Sequence, residues 1–262
     1  MIRGHWSLEG KVALITGGTR GIGFAIAQEY LEHGARVFIT ARKQDELLAA
    51  KRSLSSIGLI ETMAASAGNP AEIELSVRAC MERLGSIDVL VNNAATNPQF
   101  GPLMDADPGA VQKVWSVNLL GPLLYAQAAW RLSMRAQGGS IINVASVSGI
   151  APTAMSGAYN VGKAALIHLS RQLAIELGPH VRTNTLVPGL IRTRFADAQI
   201  EASGDGGLAS RHPLKRLGVP TDLTGAALLL ACEAGGWMTG QTIVVDGGAL
   251  QAWWPVEPSV DT

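Results

Sequence analysis

The sequence predicts an α/β fold: a single doubly wound domain with a seven-stranded parallel sheet and helices on both faces. Three observations carry this prediction. Short apolar, β-branched runs alternate along the chain with longer stretches of helical periodicity. The strand runs are continuously apolar, as they must be when both faces of a sheet are covered. No linker rich in Pro, Gly or Ser and no internal repeat divides the 262 residues, a length suited to one large α/β domain.

The elements follow in order. "KVALIT" (11–16) reads as the first strand, and "GIGFAIAQEYLEHGA" as a helix closed by Gly34. "RVFITA" (36–41) is the second strand, followed by a polar helix around "KQDELLAAKRSLSSIG". "IETMAA" (60–65), "SIDVLVNNA" (86–94), "GSIINVAS" (139–146) and "RTNTLVP" (182–188) continue the series, with helices between them. "QTIVVDGG" (241–248) supplies the seventh strand. Asp107 before Pro108 reads as a helix N-cap with proline at the first helical position. Residues 192–213 are polar and Gly-rich and follow a strand end, so they are expected to form a mobile substrate loop. The tail, 250–262, carries Trp253 and Trp254, expected to pack over a pocket, on a neighbouring subunit or on their own.

Composition narrows the class of function. Charged residues make up 16% of the chain and apolar residues 47%, enough for a large core and a subunit interface; the expected assembly is a homotetramer or homodimer. Net charge is zero, which gives no reason to expect nucleic acid or an anionic membrane as partner. Cys80 and Cys232 lie far apart and read as buried thiols of a reducing compartment. The start lacks the apolar core of a signal peptide, and the longest apolar run, "GAALLLAC" (225–232), is too short for a span of about 20 residues. A soluble, cytoplasmic protein is expected.

"TGGTRGIG" (16–23) stands between the first strand and the first helix. Glycines there permit a tight turn and close approach to a pyrophosphate, and the helix N-terminus offers free N–H groups and a positive dipole end. Gly17, Thr19, Arg20, Gly21, Ile22 and Gly23 are the candidate phosphate-binding residues. Folds that prefer NAD carry an acid at the end of the second strand for the ribose 2′-hydroxyl. Here Ala41 holds that place and Arg42 follows it, with Arg20 as a second cation. A guanidinium binds a 2′-phosphate that a carboxylate would repel, so NADP(H) is favoured over NAD(H).

"SGAYNVGKAAL" (156–166) places Tyr159 and Lys163 four residues apart on one helix face. A phenol with its usual pKa near ~10 is a poor base at neutral pH, and a nearby ammonium would lower that value. The pair would then serve as proton donor and acceptor. Ser146 ends an apolar strand at the carboxyl edge of the sheet, where its hydroxyl can hydrogen-bond a carbonyl oxygen and stabilise developing negative charge.

Together, "TGGTRGIG", "NNAA" (92–95), Asn118 in "VNLLGP", Ser146, "YNVGK" (159–163) and "PGLIRT" (188–193) resemble the short-chain dehydrogenase/reductase family in order and spacing. The resemblance runs from about residue 7 to residue 250 and implies a Rossmann-type domain. Within the family the chain looks most like 3-oxoacyl thioester reductases and NADP-dependent carbonyl reductases, and "NNAATNPQFGP" leans toward the latter. The resemblance implies that Tyr159 protonates the alkoxide formed as hydride reaches a carbonyl carbon. Lys163 would lower the Tyr159 pKa and hold the nicotinamide ribose, and Ser146 would polarise the carbonyl. Asn118 would hold a water that links Lys163 to solvent. Pro188, Gly189, Ile191 and Thr193 match the segment that seats the carboxamide, and Asn92 and Ala94 the turn beside the adenosine ribose.

Three positions depart from the family pattern. Ala95 replaces the last glycine of the turn, and Ser66 stands where many members have an Asp facing the adenine. Ile175 occupies a place where carrier-protein reductases tend to carry Arg, so a free or CoA-linked substrate is expected rather than one on an acidic carrier protein. The five histidines (His5, His33, His168, His180, His212) show no metal-ligand spacing, and His212 in the substrate loop is expected to face solvent. The apolar face from Val111 to Trp130 reads as subunit packing. Asn97, Gln99, Phe100, Ser148, Ile150, Met155, Leu190 and Phe195 are the candidate substrate pocket, which suits a mainly apolar carbonyl or alcohol. The expected function is reversible hydride transfer between NADP(H) and a ketone or 3-oxoacyl substrate. The alternatives are an NAD-dependent secondary alcohol dehydrogenase, and a cofactor-sensing Rossmann module without turnover. A mere sensor would not need Asn118, Ser146, Tyr159 and Lys163 together.

Overall fold

The computed structural model describes residues 2–197, 200–201 and 205–252. Its seven strands are β1 (Val12–Thr16), β2 (Arg36–Ala41), β3 (Ile60–Ala64), β4 (Val89–Asn92), β5 (Gly139–Val144), β6 (Val181–Pro188) and β7 (Thr242–Val245). They form one sheet in the order β3-β2-β1-β4-β5-β6-β7, and every adjacent pair is parallel. The order runs outward from β1 in one direction and from β4 in the other. The crevice between the carboxyl ends of β1 and β4 is therefore the place where such sheets bind ligands.

Helices cover both faces. The first are α1 (Gly21–Glu32), α2 (Gln44–Leu54) and α3 (Pro70–Leu84). Next come α4 (Pro108–Trp115), α5 (Gly121–Ala129), the short α6 (Arg135–Gln137) and α7 (Gly157–Leu177). Then follow α8 (Asp205–Ser210) and α9 (Thr224–Ala231). Strand β1 shows why its run is apolar throughout. Ala13 and Ile15 pack with Ile26, Tyr30 and Leu228 on one face, while Val12 and Leu14 pack with Val77, Leu90 and Tyr125 on the other. Each fully buried Val, Leu or Ile side chain among them stabilises the fold by about 1.5–3 kcal/mol.

The helix ends follow from sequence chemistry. Asp107 accepts a 2.7 Å hydrogen bond from the Ala110 N–H at the start of α4, as the Asp-Pro pair predicts. Asn69 caps α3 in the same way. Two π turns, Ser116–Leu120 and Trp130–Met134, interrupt the helical run from α4 to α6. The strands predicted at 86–94 and 139–146 are shorter at their ends. After Asn92 the chain leaves β4 to hold the glycine turn, so Asn93 pairs with β1 through its side chain rather than through the ladder. Ser146 stands two residues beyond β5, in extended backbone leading into a 3₁₀ turn.

Cys80 and Cys232 are buried free thiols. The expectation for His212 is corrected. It is buried, with Nδ1 2.9 Å from the Leu208 carbonyl, because the chain after α8 folds back against Gly247 beyond β7. Trp253 and Trp254 lie outside the described residues.

Candidate active site

The glycine turn after β1 is built to approach something closely. Gly17 has φ +68°, a left-handed conformation that glycine adopts without strain. A Cβ on Gly23 would come within 2.5 Å of the Gly17 carbonyl oxygen. Asn93 pins this turn, donating its amide to the Thr16 and Gly17 carbonyls at 2.9 and 3.0 Å. Thr16 returns the contact, its hydroxyl accepting from the Asn93 and Ala94 N–H groups at 3.0 Å each. Helix α1 begins at this turn without a side-chain cap and without an acidic residue in its first turn. Its N-terminal N–H groups and dipole thus remain available to an anion, and the residues present fit a dinucleotide pyrophosphate. Thr19, Arg20 and Ile22 lie along the same turn. Thr193, beyond β6, packs over it; a Cβ on Gly21 would lie 3.1 Å from the Thr193 methyl.

Asn92 occupies a different role from a ligand-facing side chain. It is buried and donates to Asn143 Oδ1 at 2.8 Å, in a chain continued from Asn143 to Ser170. Its Oδ1 is buried without a hydrogen-bond partner. Ser66, beyond β3, is tied down by Glu72, whose carboxylate accepts its N–H at 2.7 Å. Arg42 is exposed at the end of β2, next to Ala41.

Tyr159 and Lys163 share a face of α7, with Lys163 Nζ 5.6 Å from the Tyr159 ring centroid. Lys163 is 2% exposed and donates to the Val144 carbonyl at 2.7 Å, which joins α7 to the end of β5. The turn after Ser146 packs directly on this helix: a Cβ on Gly149 would meet the Lys163 main chain at 2.7 Å. That packing brings the Ser146 hydroxyl toward the Tyr159 oxygen.

The electrostatics differ from the expected lowering of the phenol. Burial pushes the Tyr159 hydroxyl up to about 12, and the Ser146 hydroxyl opposes this by favouring the phenolate. Burial also brings the Lys163 amine down to about 7. The expectation is corrected for a physical reason. Desolvation acts on both groups, and an amine near half-protonation at neutral pH offers little charge to stabilise a phenolate.

Asn118 is fully buried in the first π turn. Its amide is used on both sides, accepting from the Thr96 N–H and donating to the Thr96 carbonyl, each at 2.9 Å. The side chain therefore holds the loop after β4 in place.

The candidate pocket residues gather in the loops around the Tyr159 end of α7. The Gly101 N–H donates to the Met155 carbonyl at 2.8 Å, which joins the segment carrying Asn97, Gln99 and Phe100 to the one carrying Ile150 and Met155. Ser148 lies in the 3₁₀ turn after Ser146, its N–H donating to the Ser146 hydroxyl at 3.2 Å. The Phe195 ring lies 5.7 Å from the Tyr159 ring, centroid to centroid. Phe100, Ile150, Met155 and Phe195 are all exposed apolar side chains. Leu190 accepts from the Gly218 N–H at 3.1 Å, and Gly189 packs on Asp246, so the segment from Pro188 is fixed between β7 and the chain after α8. Asn97 Oδ1 and Gln99 Oε1 are buried without a hydrogen-bond partner.

A parallel sheet whose order turns outward at a glycine-rich βα turn defines the class: a nucleotide-binding α/β domain of Rossmann type. Residues 17–249 match the family model described as Enoyl-(Acyl carrier protein) reductase. The chain belongs to the short-chain dehydrogenase/reductase family, oxidoreductases that transfer hydride with a nicotinamide cofactor. It is 38% identical over 244 residues to Dehydrogenase/reductase SDR family member 4 of Mus musculus, covering 92% of this chain and 88% of the relative. A putative short-chain alcohol dehydrogenase from Sinorhizobium meliloti superposes with a TM-score of 0.90 at 32% identity, covering 94% of this chain and 99% of the other. A gluconate 5-dehydrogenase from Burkholderia cenocepacia, in complex with NADP and tartrate, gives a TM-score of 0.90 at 30% identity, covering 96% and 99%.

Proposed function

We propose that this protein is an NADP(H)-dependent reductase of ketones or 3-oxoacyl compounds, with Ser146, Tyr159 and Lys163 as catalytic residues. The observation that carries the reading is the convergence of the Ser146 and Tyr159 hydroxyls at the carboxyl edge of the sheet, over a buried Lys163. Two adjacent hydroxyls suit a carbonyl oxygen that gains negative charge. The bound nicotinamide supplies the hydride. Tyr159, pushed up to about 12, is fully protonated at neutral pH and is therefore a proton donor to the nascent alkoxide. Lys163, at about 7, can take up and release a proton under physiological conditions and so resupply the phenol. Asn118, as the family resemblance implies, would hold the water that links Lys163 to solvent.

The cofactor would lie along Gly17, Thr19, Arg20, Gly21, Ile22 and Gly23, with Ser66, the Asn92 main chain and Ala94 beside the adenosine. Pro188, Gly189, Ile191 and Thr193 would seat the carboxamide. Preference for NADP(H) is supported by Arg42 beside Ala41, and by the NADP bound in the gluconate 5-dehydrogenase relative. The exposed apolar rim supports an apolar, uncharged substrate. Ile175 is 79% exposed, which leaves no cation there for an acidic carrier protein. A groove of about 290 Å³ lined by Trp115, Leu119, Leu120, Leu123 and Leu169 supports a homo-oligomer packed through α4 and α5. Among the described residues no helix is long and apolar enough to cross a membrane.

Titration of NADPH and NADH, followed by nicotinamide fluorescence, tests the cofactor reading. Wild type is expected to bind NADPH more tightly, and Arg42→Ala to lose about tenfold of that affinity, the size of one charge-assisted contact. Equal or tighter NADH binding in wild type would remove Arg42 from the site and favour the NAD-dependent alcohol dehydrogenase.

A further inference from the structure

The glycine turn and the start of α2 meet through a carboxylate. Both Glu46 oxygens lie 3.0 Å from Arg20 Nη1. The Thr19 hydroxyl donates to Glu46 Oε2 at 3.4 Å, and Lys43 Nζ lies 3.4 Å from Oε1. Glu46 sits in the first turn of α2, where the helix dipole favours negative charge. One anion thus engages a hydroxyl, a guanidinium and an ammonium, all placed between the phosphate-binding turn and the end of β2. These are the donors that a 2′-phosphate on the adenosine ribose would use alongside Arg42.

We propose that Glu46 is a specificity-determining residue of the cofactor site, a built-in competitor of the 2′-phosphate for Arg20, Thr19 and Lys43. This rests on the NADP(H) reading above. A 2′-phosphate entering the cluster must displace the Glu46 carboxylate from Arg20 or share the cations with it, and like charge makes sharing unfavourable. A ribose with a free 2′-hydroxyl meets no such competition. Glu46 therefore narrows the gap between the two cofactors, and the full donor set becomes available to phosphate only when Glu46 is removed. The contacts are partly exposed, with the Arg20 side chain at 50% and that of Glu46 at 22%, so the effect is moderate.

Calorimetric titration of the full-length protein with adenosine 2′,5′-bisphosphate and with 5′-AMP isolates the 2′-phosphate from nicotinamide binding. Wild type, Glu46→Gln, Glu46→Ala and Arg42→Ala are compared. Both Glu46 variants are expected to tighten 2′,5′-bisphosphate binding by about three- to tenfold while 5′-AMP changes by less than about twofold. If the Glu46 variants bind the bisphosphate unchanged or more weakly, while Arg42→Ala loses it, Glu46 buttresses Arg20 or stands aside; the competitor role is overturned and the NADP(H) reading survives. If wild type binds the bisphosphate no more tightly than 5′-AMP and no variant alters this, both readings fall together.

Discussion

Tyr159→Phe is expected to lower ketone reduction by about a thousandfold or more and to leave NADPH binding within about twofold of wild type. The substitution removes one oxygen and keeps the ring that packs on Phe195, so the pocket wall is preserved. On the proposed mechanism, what disappears is the proton donor and one of the two hydroxyls that would meet the carbonyl oxygen. The loss should appear in kcat. A variant that kept turnover would mean that another group or water delivers the proton, and the catalytic assignment would fail.

Lys163→Met is expected to act on both rate and stability. Turnover should fall by about a hundredfold or more, because on the proposed mechanism Lys163 resupplies the phenol's proton. The effect on stability is set by burial, which brings the Lys163 amine from its ordinary value down to about 7. Between about 7 and the usual ~10.4 of a free lysine, the amine is neutral in the folded chain and charged in the unfolded one. The unfolded state then binds more protons, so wild-type stability should gain up to about 1.4 kcal/mol per pH unit from this group as pH rises through that window. Below about 7 the amine is charged in both states and its contribution no longer changes with pH. Tyr159 acts in the opposite sense, but only between the ordinary tyrosine range and about 12. Urea unfolding midpoints at pH 7, 8 and 9 check this. Wild type should gain on Lys163→Met with rising pH; parallel curves would show that the folded amine is not depressed.

Strands β1, β2 and β4 are legible in the sequence because a sheet covered on both faces leaves them no polar alternation to confuse the pattern. Runs such as "KVALIT" and "RVFITA" give β1 and β2 within a residue of their ends. Helix α4 is equally legible, since Asp107 and Pro108 carry their meaning locally. The parts that escape are set by contacts distant in the chain. Asn93 holds the glycine turn from 76 residues away, and Glu46 meets Arg20 across 26. Neither partner is marked by its own neighbours. His212 looks like a polar loop residue until the chain after α8 packs against Gly247. The Tyr159 and Lys163 spacing correctly places both groups on one face, yet the direction in which the phenol is tuned depends on burial that spacing does not encode. The buried amide of Asn118 serves the loop at Thr96, 22 residues away, which its own neighbours do not announce.

Single-turnover reduction of a panel of alkyl and aryl ketones with NADPH carrying deuterium at nicotinamide C4, in wild type and Tyr159→Phe, tests hydride transfer and its dependence on Tyr159 together. Wild type is expected to place the deuterium on the carbinol carbon of at least one apolar ketone, and Tyr159→Phe to bind the same NADPH without producing the alcohol. Comparable label transfer by both proteins would contradict the proposed mechanism, as would NADPH bound tightly by wild type with no carbonyl reduced.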